Sequence, residues 1–195
     1  MTPTPLPTPR SSVRHITLAK GEGLFFQGDS TFAIFVVRRG RVRLVRHLAD
    51  GSTVTLHIAQ DRETFSEAAL FSEVYHCDAI ADVASEIEIH FKERLLQALD
   101  ENPKASQIFM AHMARQVIGL RSRLEIRNIK SARERVIQFL RLEIKEPEMQ
   151  VTFEHPLKDI ASDIGLTHET FYRTLAKLEA SGKINRKGRM ITLLG

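Results

Sequence analysis

The chain has 195 residues, of which 43% are hydrophobic and 27% are charged, and its formal net charge is +4. These values are ordinary for a globular protein of one or two domains, and 10 Gly and 7 Pro are too few for a collagen-like or wholly disordered chain. The single cysteine, Cys77, excludes an intramolecular disulfide framework and any zinc or iron–sulfur site that needs several cysteines of one chain.

Thr and Pro alternate at the beginning of the chain, and we predict a disordered leader over residues 1–14. This stretch has no apolar core of signal-peptide length and no basic start. No apolar run in the sequence approaches the roughly 18 residues that suggest a membrane helix. We therefore expect no membrane partner and a cytoplasmic location, which agrees with one unpaired thiol.

Between residues 15 and 91, short apolar runs alternate with turn residues. Five runs have the length and composition of strands, and several show a period of two. Strands at such even spacing are typical of a small antiparallel barrel or sandwich. Asp50 and Gly51 predict a two-residue hairpin turn between two of the strands. The predicted strands are residues 33–37, 42–45, 54–58, 78–83 and 86–91.

The periodicity becomes helical after Phe91. Residues 92–100 predict a short helix that ends near Pro103, and residues 104–129 predict a long one. Apolar residues recur in the long helix at steps of three and four, a heptad seam that suits packing against a twin helix. A helix lying on its own barrel would show the same stripe. The seam consists of Met110, Met113, Val117, Leu120 and Leu124.

The next predicted helix begins with a capping box formed by Ser131 and Glu134. It continues to about Lys145, and Pro147 ends it. Residues 150–153 then predict a short strand.

Two short amphipathic helices follow, joined by a glycine turn. Pro156 suits the first turn of a helix, Gly165 suits its left-handed end, and Thr167 is a good N-cap for the second helix. This pattern predicts a helix-turn-helix, and the basic hairpin of residues 182–193 predicts a wing. The alternative is an ordinary helical hairpin in a core. The predicted buried positions are Leu157, Ile160, Ala161 and Ile164, then Phe171, Leu175 and Leu178.

The exposed face of the second helix is predicted to enter the major groove of double-stranded DNA. Arg173 can bond a guanine there and Glu169 can accept from a cytosine amino group, while short hydroxyls and further basic residues suit phosphates. Lys177 could equally be a solvated surface charge. Residues 130–195 carry +3 of the net charge. The candidate DNA-binding residues are Thr167, His168, Glu169, Thr170, Arg173, Lys177, Lys187 and Arg189.

Residues 160–165 and 167–179 resemble the helix-turn-helix of the CRP/FNR family of bacterial transcription regulators. In that family a Glu and an Arg four residues apart read a TGTGA-like half-site, as Glu169 and Arg173 would here. The position before the Glu is usually Arg in cyclic-AMP-responsive members and is His168 in this chain. Residues 65–71 resemble the cassette that holds a cyclic nucleotide in the family's β-roll.

The resemblance extends from about His15 to Leu194 and implies an α+β fold. An antiparallel, jelly-roll-like β-roll would occupy residues 15–100, a dimerisation helix residues 101–129 and a winged helix-turn-helix residues 130–195. The resemblance further implies a homodimer that binds a palindrome, with RNA polymerase as a protein partner.

The cassette departs from the family pattern where a cyclic phosphate would bind. The usual Gly is replaced by Ser66, the phosphate-binding Arg by Cys77 and the following Ser or Thr by Asp78. A buried phosphate that lacks its Arg and faces a carboxylate is disfavoured, so we expect no response to cyclic AMP. The positions implied for this effector pocket are Ser66, Glu67, Cys77, Asp78, Leu120 and Arg121.

The sequence leaves several alternatives to a cyclic nucleotide as the effector. The protein could need no effector, with Glu67 kept as a structural acceptor for backbone amides. Cys77, next to His76 and with its pKa lowered by Arg121, could sense redox state or hold a metal or haem, or it could be a small buried hydrophobe. No cofactor is predicted. The alternative function is a small-molecule, redox or metal-binding β-roll sensor whose C-terminal domain makes mainly protein contacts.

Catalysis is not expected, because Cys77 with His76 or His57 is the only pair that could serve as nucleophile and base. Adjacent strand residues point to opposite faces, which makes His76 a poor partner for Cys77.

Overall fold

The computed structural model describes residues 6–144, 149–153 and 157–194. The chain divides into two compact units, Met1–Met113 and Ala114–Gly195. The predictions made for Lys145, Pro147 and Pro156 lie outside the described residues, as does the part of the predicted leader before residue 6.

Two four-stranded antiparallel sheets form the first unit. Its strands are β1 (Val13–Leu18), β2 (Gly23–Phe25), β3 (Ala33–Arg39), β4 (Arg41–His47), β5 (Thr53–Gln60), β6 (Thr64–Phe65), β7 (Asp78–Ala81) and β8 (Ser85–Phe91). One sheet has the order β1-β8-β3-β6 and the other β2-β7-β4-β5. The five predicted strands are confirmed as β3, β4, β5, β7 and β8.

Side chains from both sheets meet in one apolar core, in which aromatic rings stack. The ring centroids of Phe25 and Tyr75 lie 3.8 Å apart, and those of Phe35 and Phe65 lie 5.3 Å apart. The buried Tyr75 hydroxyl donates to the Ala33 carbonyl at 2.8 Å. This bond satisfies the polar end of a ring that is otherwise packed among hydrophobic groups.

The connection between β4 and β5 is longer than the predicted two-residue turn. It comprises residues 48–52, and the Leu48 amide donates to the Ser52 carbonyl at 2.8 Å. Asp50 accepts from the Ser52 amide, and Gly51 has a φ of +81°. The turn residues were therefore identified correctly, but the two-residue length was wrong because the strands stop pairing earlier.

The prediction of a disordered leader does not hold for residues 6–14. Leu6 packs against the apolar core, and Thr8 is buried with its hydroxyl 3.1 Å from Nδ1 of His90. A 3-10 helix spans Arg10–Ser12, and β1 begins at Val13. This part of the chain belongs to the β-sheet unit.

Two helices follow β8, as predicted: α1 (Lys92–Glu101) and α2 (Pro103–Asn128). Leu95 of α1 is fully buried, and Phe109 and Met113 of α2 pack against the β-sheet core. The first turns of α2 therefore belong to the first unit.

Short helices and a three-stranded sheet form the second unit. Its elements are α3 (Ala132–Glu143), β9 (Gln150–Thr152), α4 (Leu157–Asp163), α5 (His168–Ala180), β10 (Ile184–Lys187) and β11 (Met190–Leu193). Ser131 caps α3 as predicted, since its hydroxyl accepts from the Glu134 amide at 3.3 Å. The predicted apolar stripes of α4 and α5 are all buried in one core with Phe139 and Ile191.

The α+β class is thus confirmed, with an antiparallel β-sheet unit first, then a long helix and a small helical unit with its own sheet. Among the described helices, none combines the length and apolarity needed to cross a membrane.

Candidate nucleic-acid interface

A sharp glycine turn joins α4 to α5. Gly165 has a φ of +67°, a conformation that favours glycine, and its amide donates to the Ser162 carbonyl at 3.1 Å. The Leu166 amide donates to the Ala161 carbonyl at 2.8 Å. Thr167 then caps α5, with its hydroxyl accepting from the Thr170 amide at 3.2 Å. The predicted helix-turn-helix is therefore present.

Two arginines from outside the motif bind the free carbonyls at the end of α4. Arg135 Nη1 donates to the Gly165 carbonyl at 2.9 Å, and Arg127 Nε donates to the Asp163 carbonyl at 2.8 Å. Carbonyls at a helix end have no partner within the helix, so these cations stabilise its end. The sequence pattern gave no sign of this role, because each arginine precedes its partner by about 30 residues or more.

The first two turns of α5 carry the predicted base-reading side chains. His168, Glu169 and Arg173 are exposed, and the side chains of Glu169 and Arg173 are 84% and 57% accessible. Arg173 Nη1 donates to Glu169 Oε1 at 3.1 Å. The pair presents one donor group and one acceptor group on the same helix face.

The threonines at the start of α5 bond to each other. The Thr167 hydroxyl donates to Thr170 Oγ1 at 2.9 Å while it accepts the capping bond. Both lie beside the amino end of the helix, where free N–H groups and the helix dipole favour an anion.

A basic hairpin follows α5, in the place predicted for a wing. β10 pairs with β11 in antiparallel register, and Gly188 turns between them with a φ of +62°. Lys187 and Arg189 flank this glycine and are exposed, as is Lys177 on α5. All the predicted basic candidates therefore lie at the surface of the second unit.

The cassette residues lie in a 3-10 helix, Glu67–Phe71, in the first unit. Ser66 precedes it in the left-handed conformation, with a φ of +64°, and its buried hydroxyl has no hydrogen-bond partner among the described residues. The conformation is one that glycine adopts more easily, which agrees with the family's usual residue at this position.

Glu67 forms a buried polar cluster with Thr64 and with His112 of α2. Thr64 Oγ1 donates to Glu67 Oε1 at 2.6 Å, and His112 Nε2 lies 3.0 Å from Thr64 Oγ1 and 3.5 Å from Glu67 Oε1. Because the hydroxyl has one proton and gives it to the carboxylate, the His112 contact requires a proton on Nε2. Helix α2 thus contacts the cassette through this cluster, a contact that the sequence did not predict.

The environment of Cys77 differs from the predicted one. Burial raises the pKa of the Cys77 thiol, and the arginine that partly offsets this is Arg46, not Arg121. His76 bonds Ser72 through its ring and accepts from Arg46 through its carbonyl. Among the described residues, no group of three or more His, Cys, Asp or Glu side chains could hold a metal ion.

Asp78 is buried and already bonded on both carboxylate oxygens. Oδ1 accepts from the Gln27 amide at 2.8 Å, and Oδ2 lies 3.0 Å from His47 Nε2. Of the other implied pocket positions, Leu120 and Arg121 are exposed on α2. The thiol and the carboxylate therefore differ from the Arg and the Ser or Thr that the resemblance implies at these positions.

The heptad seam of α2 is largely exposed. Met113 packs on the β-sheet core, whereas the other four predicted positions are 46–61% exposed. These four positions are Met110, Val117, Leu120 and Leu124, and Ile118 beside them is 62% exposed.

Comparison with known proteins matches both units in order. The family model "Cyclic nucleotide-binding domain" matches residues 15–102, and "Crp-like helix-turn-helix domain" matches residues 134–195. The Cyclic AMP receptor protein of Thermus thermophilus is 28% identical over 166 residues, which cover 85% of this chain and 76% of that protein. The Fumarate and nitrate reduction regulatory protein of Vibrio cholerae is 23% identical, over 91% of this chain and 73% of its own.

Among solved structures, FixK2 from Bradyrhizobium japonicum has the same fold. It superposes with a TM-score of 0.73 at 21% identity and covers 94% of this chain and 93% of its own. The matched relatives are transcription regulators and not enzymes. Because the two family models together span most of the chain in the order of its two units, the protein belongs to the CRP/FNR family of bacterial transcription regulators.

Proposed function

We propose that the protein acts as a homodimer whose two α5 helices read the halves of a palindromic, TGTGA-like DNA site. The observation that carries this proposal is the exposed Glu169–Arg173 pair on a winged helix-turn-helix. A carboxylate accepts from a cytosine amino group, and a guanidinium bonds O6 and N7 of guanine. An exposed ion pair contributes little free energy in water. Glu169 and Arg173 can therefore separate and bond base edges instead at small energetic cost.

Phosphate contacts would flank the bases. The Thr170 hydroxyl accepts from Thr167, so its own proton can be donated to a phosphate oxygen. Lys177, Lys187 and Arg189 are exposed and carry the charge that phosphates attract. His168 would meet the base next to the one read by Glu169.

A second copy of the chain would cover the exposed seam of α2. Four apolar side chains at heptad spacing, each about half exposed or more, are unusual on a helix that faces only water. A twin helix would bury them. The dimer would also supply the second reading helix that a palindrome requires.

The effector would be absent or different from cyclic AMP. Cys77 offers a neutral thiol where the family's cation would be, and Asp78 adds a buried carboxylate beside it. The Thr64 hydroxyl already donates to Glu67, the acid of the cassette, and His112 Nε2 lies 3.5 Å from the same carboxylate oxygen. By family resemblance, RNA polymerase is the proposed protein partner of the DNA-bound dimer.

The test uses the full chain and two fluorescent duplexes. One carries two inverted TGTGA half-sites about one helical turn apart, and the other carries the same bases in scrambled order. We expect the palindrome to bind at least roughly a thousandfold more tightly at physiological salt, with an affinity that falls as salt rises. Equal affinity for both duplexes would contradict sequence-specific reading and would favour the sensor whose C-terminal unit contacts proteins.

The proposal that cyclic AMP is not the effector has a separate test. Millimolar cyclic AMP should leave the affinity for the palindrome unchanged, because a ligand shifts an equilibrium only through differential binding to its states. A tenfold rise in affinity with cyclic AMP would contradict the misfit at Cys77 and Asp78 while leaving DNA reading intact.

A further inference from the structure

A row of side chains connects the first turn of α5 to the wing. The His168 and Tyr172 rings lie 4.5 Å apart, and the Arg186 guanidinium carbon lies 6.0 Å from the centroid of the Tyr172 ring. Arg186 in turn reaches Glu179, with Nε 3.8 Å from Oε2. Tyr172 is the only aromatic residue that joins these two ends among the described contacts.

Tyr172 is placed for this by helical spacing. It lies one turn after His168, so that the two side chains share a face, and it is half-buried beside the core residue Phe171, whose ring meets it edge-on at 6.0 Å. The Tyr172 ring thus packs between the core residue Phe171 and the exposed His168 imidazole.

Arg186 is held at both its main chain and its side chain. Its amide donates to Glu179 Oε1 at 3.3 Å, and its side chain is only 28% accessible. Strand β10 is thus attached to α5 next to the residues of the wing tip, Lys187 and Arg189. A cation that faces an aromatic ring gains attraction that water weakens less when the pair is partly covered.

We propose that Tyr172 is a positioning residue for DNA specificity. Its ring sets the direction of His168 in the groove and holds the wing through Arg186, so that helix and wing meet DNA as one surface. This inference depends on the proposed function. Tyr172 acts through His168 and the wing, and it needs no contact of its own with DNA.

The test is selection from a pool of duplexes with randomised base pairs by purified full-length protein, followed by affinity measurements on the selected duplex. The variants are Tyr172→Ala, Tyr172→Leu, Tyr172→Phe, His168→Ala and Arg186→Ala. Tyr172→Phe keeps the ring and is the matched control. Circular dichroism checks that each variant is folded, and Tyr172→Leu preserves apolar bulk if the alanine variant unfolds.

We expect Tyr172→Phe to select the wild-type consensus with affinity within about twofold. Tyr172→Ala and Tyr172→Leu should lose preference at the same base position as His168→Ala. Their affinity should depend less steeply on salt, because Lys187 and Arg189 no longer meet phosphates in register. Arg186→Ala should weaken binding about two- to fivefold, the scale of a cation–π contact, and should add nothing further in a Tyr172→Leu background.

An unchanged consensus and salt dependence in Tyr172→Leu would overturn the inference while the proposed function stands. A Tyr172→Phe variant that behaves like Tyr172→Leu would also overturn it, since the hydroxyl and not the ring would then be responsible. A wild-type selection without any consensus would overturn the proposed function, and the inference with it.

Discussion

Arg173 and Glu169 hold each other across one turn of α5 at 3.1 Å, and both side chains are largely in water. His168, near them on the first turn of α5, is exposed as well. The free energy of an exposed pair is small, so folding depends little on it. Replacing one partner should therefore affect DNA reading far more than folding.

Arg173→Ala should cost about 1–3 kcal/mol of binding to the palindrome and relax preference at one base position in each half-site. The reason is the loss of a bidentate contact with guanine. Competition with duplexes substituted at single positions measures it. Arg14→Ala, an exposed arginine of the first unit, is the control and should bind like the wild type. An unchanged base preference in Arg173→Ala would refute the assigned role.

Cys77 should behave as an inert thiol. Burial raises its pKa, so that little thiolate is present near neutral pH. We expect a disulfide reagent to react more slowly with the folded chain than with the chain in urea at the same pH. Cys77→Ala should retain DNA affinity within about twofold, in keeping with a small buried hydrophobe. Faster reaction in the folded state would instead support redox sensing.

At the scale of elements, the end of α4 shows which structural features a local sequence pattern can predict and which it cannot. Gly165 and Thr167 were predicted because glycine turns and hydroxyl caps depend on neighbouring residues. Arg135, which binds the carbonyls of that turn, lies in α3, and nothing local to it indicates the contact. Short strands were missed for a related reason, since β6 has two residues and β2 has three.

Arg135→Ala should lower the free energy of unfolding by about 1.5–3 kcal/mol, the scale of hydrogen bonds to a charged group. The carbonyls of Ile129, Ile164 and Gly165 would lose their common donor. Urea unfolding followed by circular dichroism measures the change. Arg133→Ala is exposed on the same helix and should stay within about 0.5 kcal/mol of the wild type. Equal effects of the two substitutions would contradict the capping role.

His90 of strand β8 contacts Thr8 in the chain before β1, and its burial predicts that the free energy of unfolding depends on pH. Burial lowers the pKa of His90 below its ordinary 6.5, although Glu88 partly raises it. The folded chain then binds fewer protons at this site than the unfolded chain does. The free energy of unfolding should therefore fall as pH decreases below about 6.5 toward the folded-state value, and be unaffected by this group well above 6.5.

His90→Gln should reduce the difference between urea midpoints measured at about pH 7.5 and pH 5.5. The amide can still bond Thr8 but has no proton to gain. His168→Gln serves as the control, because His168 is exposed in the second unit. A midpoint difference in His90→Gln that equals the wild-type difference would contradict this role for His90.

At the scale of the whole molecule, the sequence predicted which modules occur and in what order, but it left their assembly open. The seam of α2 was equally compatible with a twin helix and with the helix's own barrel. In the structure, Met113 takes the second option and Leu120 and Leu124 stay exposed. The stripe therefore includes both core and surface positions, and residue spacing alone could not distinguish them.

The contact between His112 and Glu67 could not be predicted from the sequence either, because the two residues are 45 positions apart in the chain and lie in different elements.

Under the proposed dimer, Leu120→Glu combined with Leu124→Glu should yield a monomer of 22.1 kDa. Two carboxylates cannot be buried against a twin helix without partners. Light scattering during size-exclusion chromatography measures the mass, and affinity for the palindrome should fall in parallel. Arg115→Glu adds the same kind of group on another side of α2 and is the control. A double variant that stays dimeric would place the interface elsewhere.

The cluster of Thr64, Glu67 and His112 has a consequence for dosage. Its three side chains belong to one chain, so their contact does not depend on the concentration of the protein. Under the proposed dimer without an effector, the remaining variable is the cellular concentration of the protein. While monomers predominate, doubling the number of chains would quadruple the number of dimers by mass action. The threshold for occupying a promoter would then be set by synthesis and degradation of the regulator.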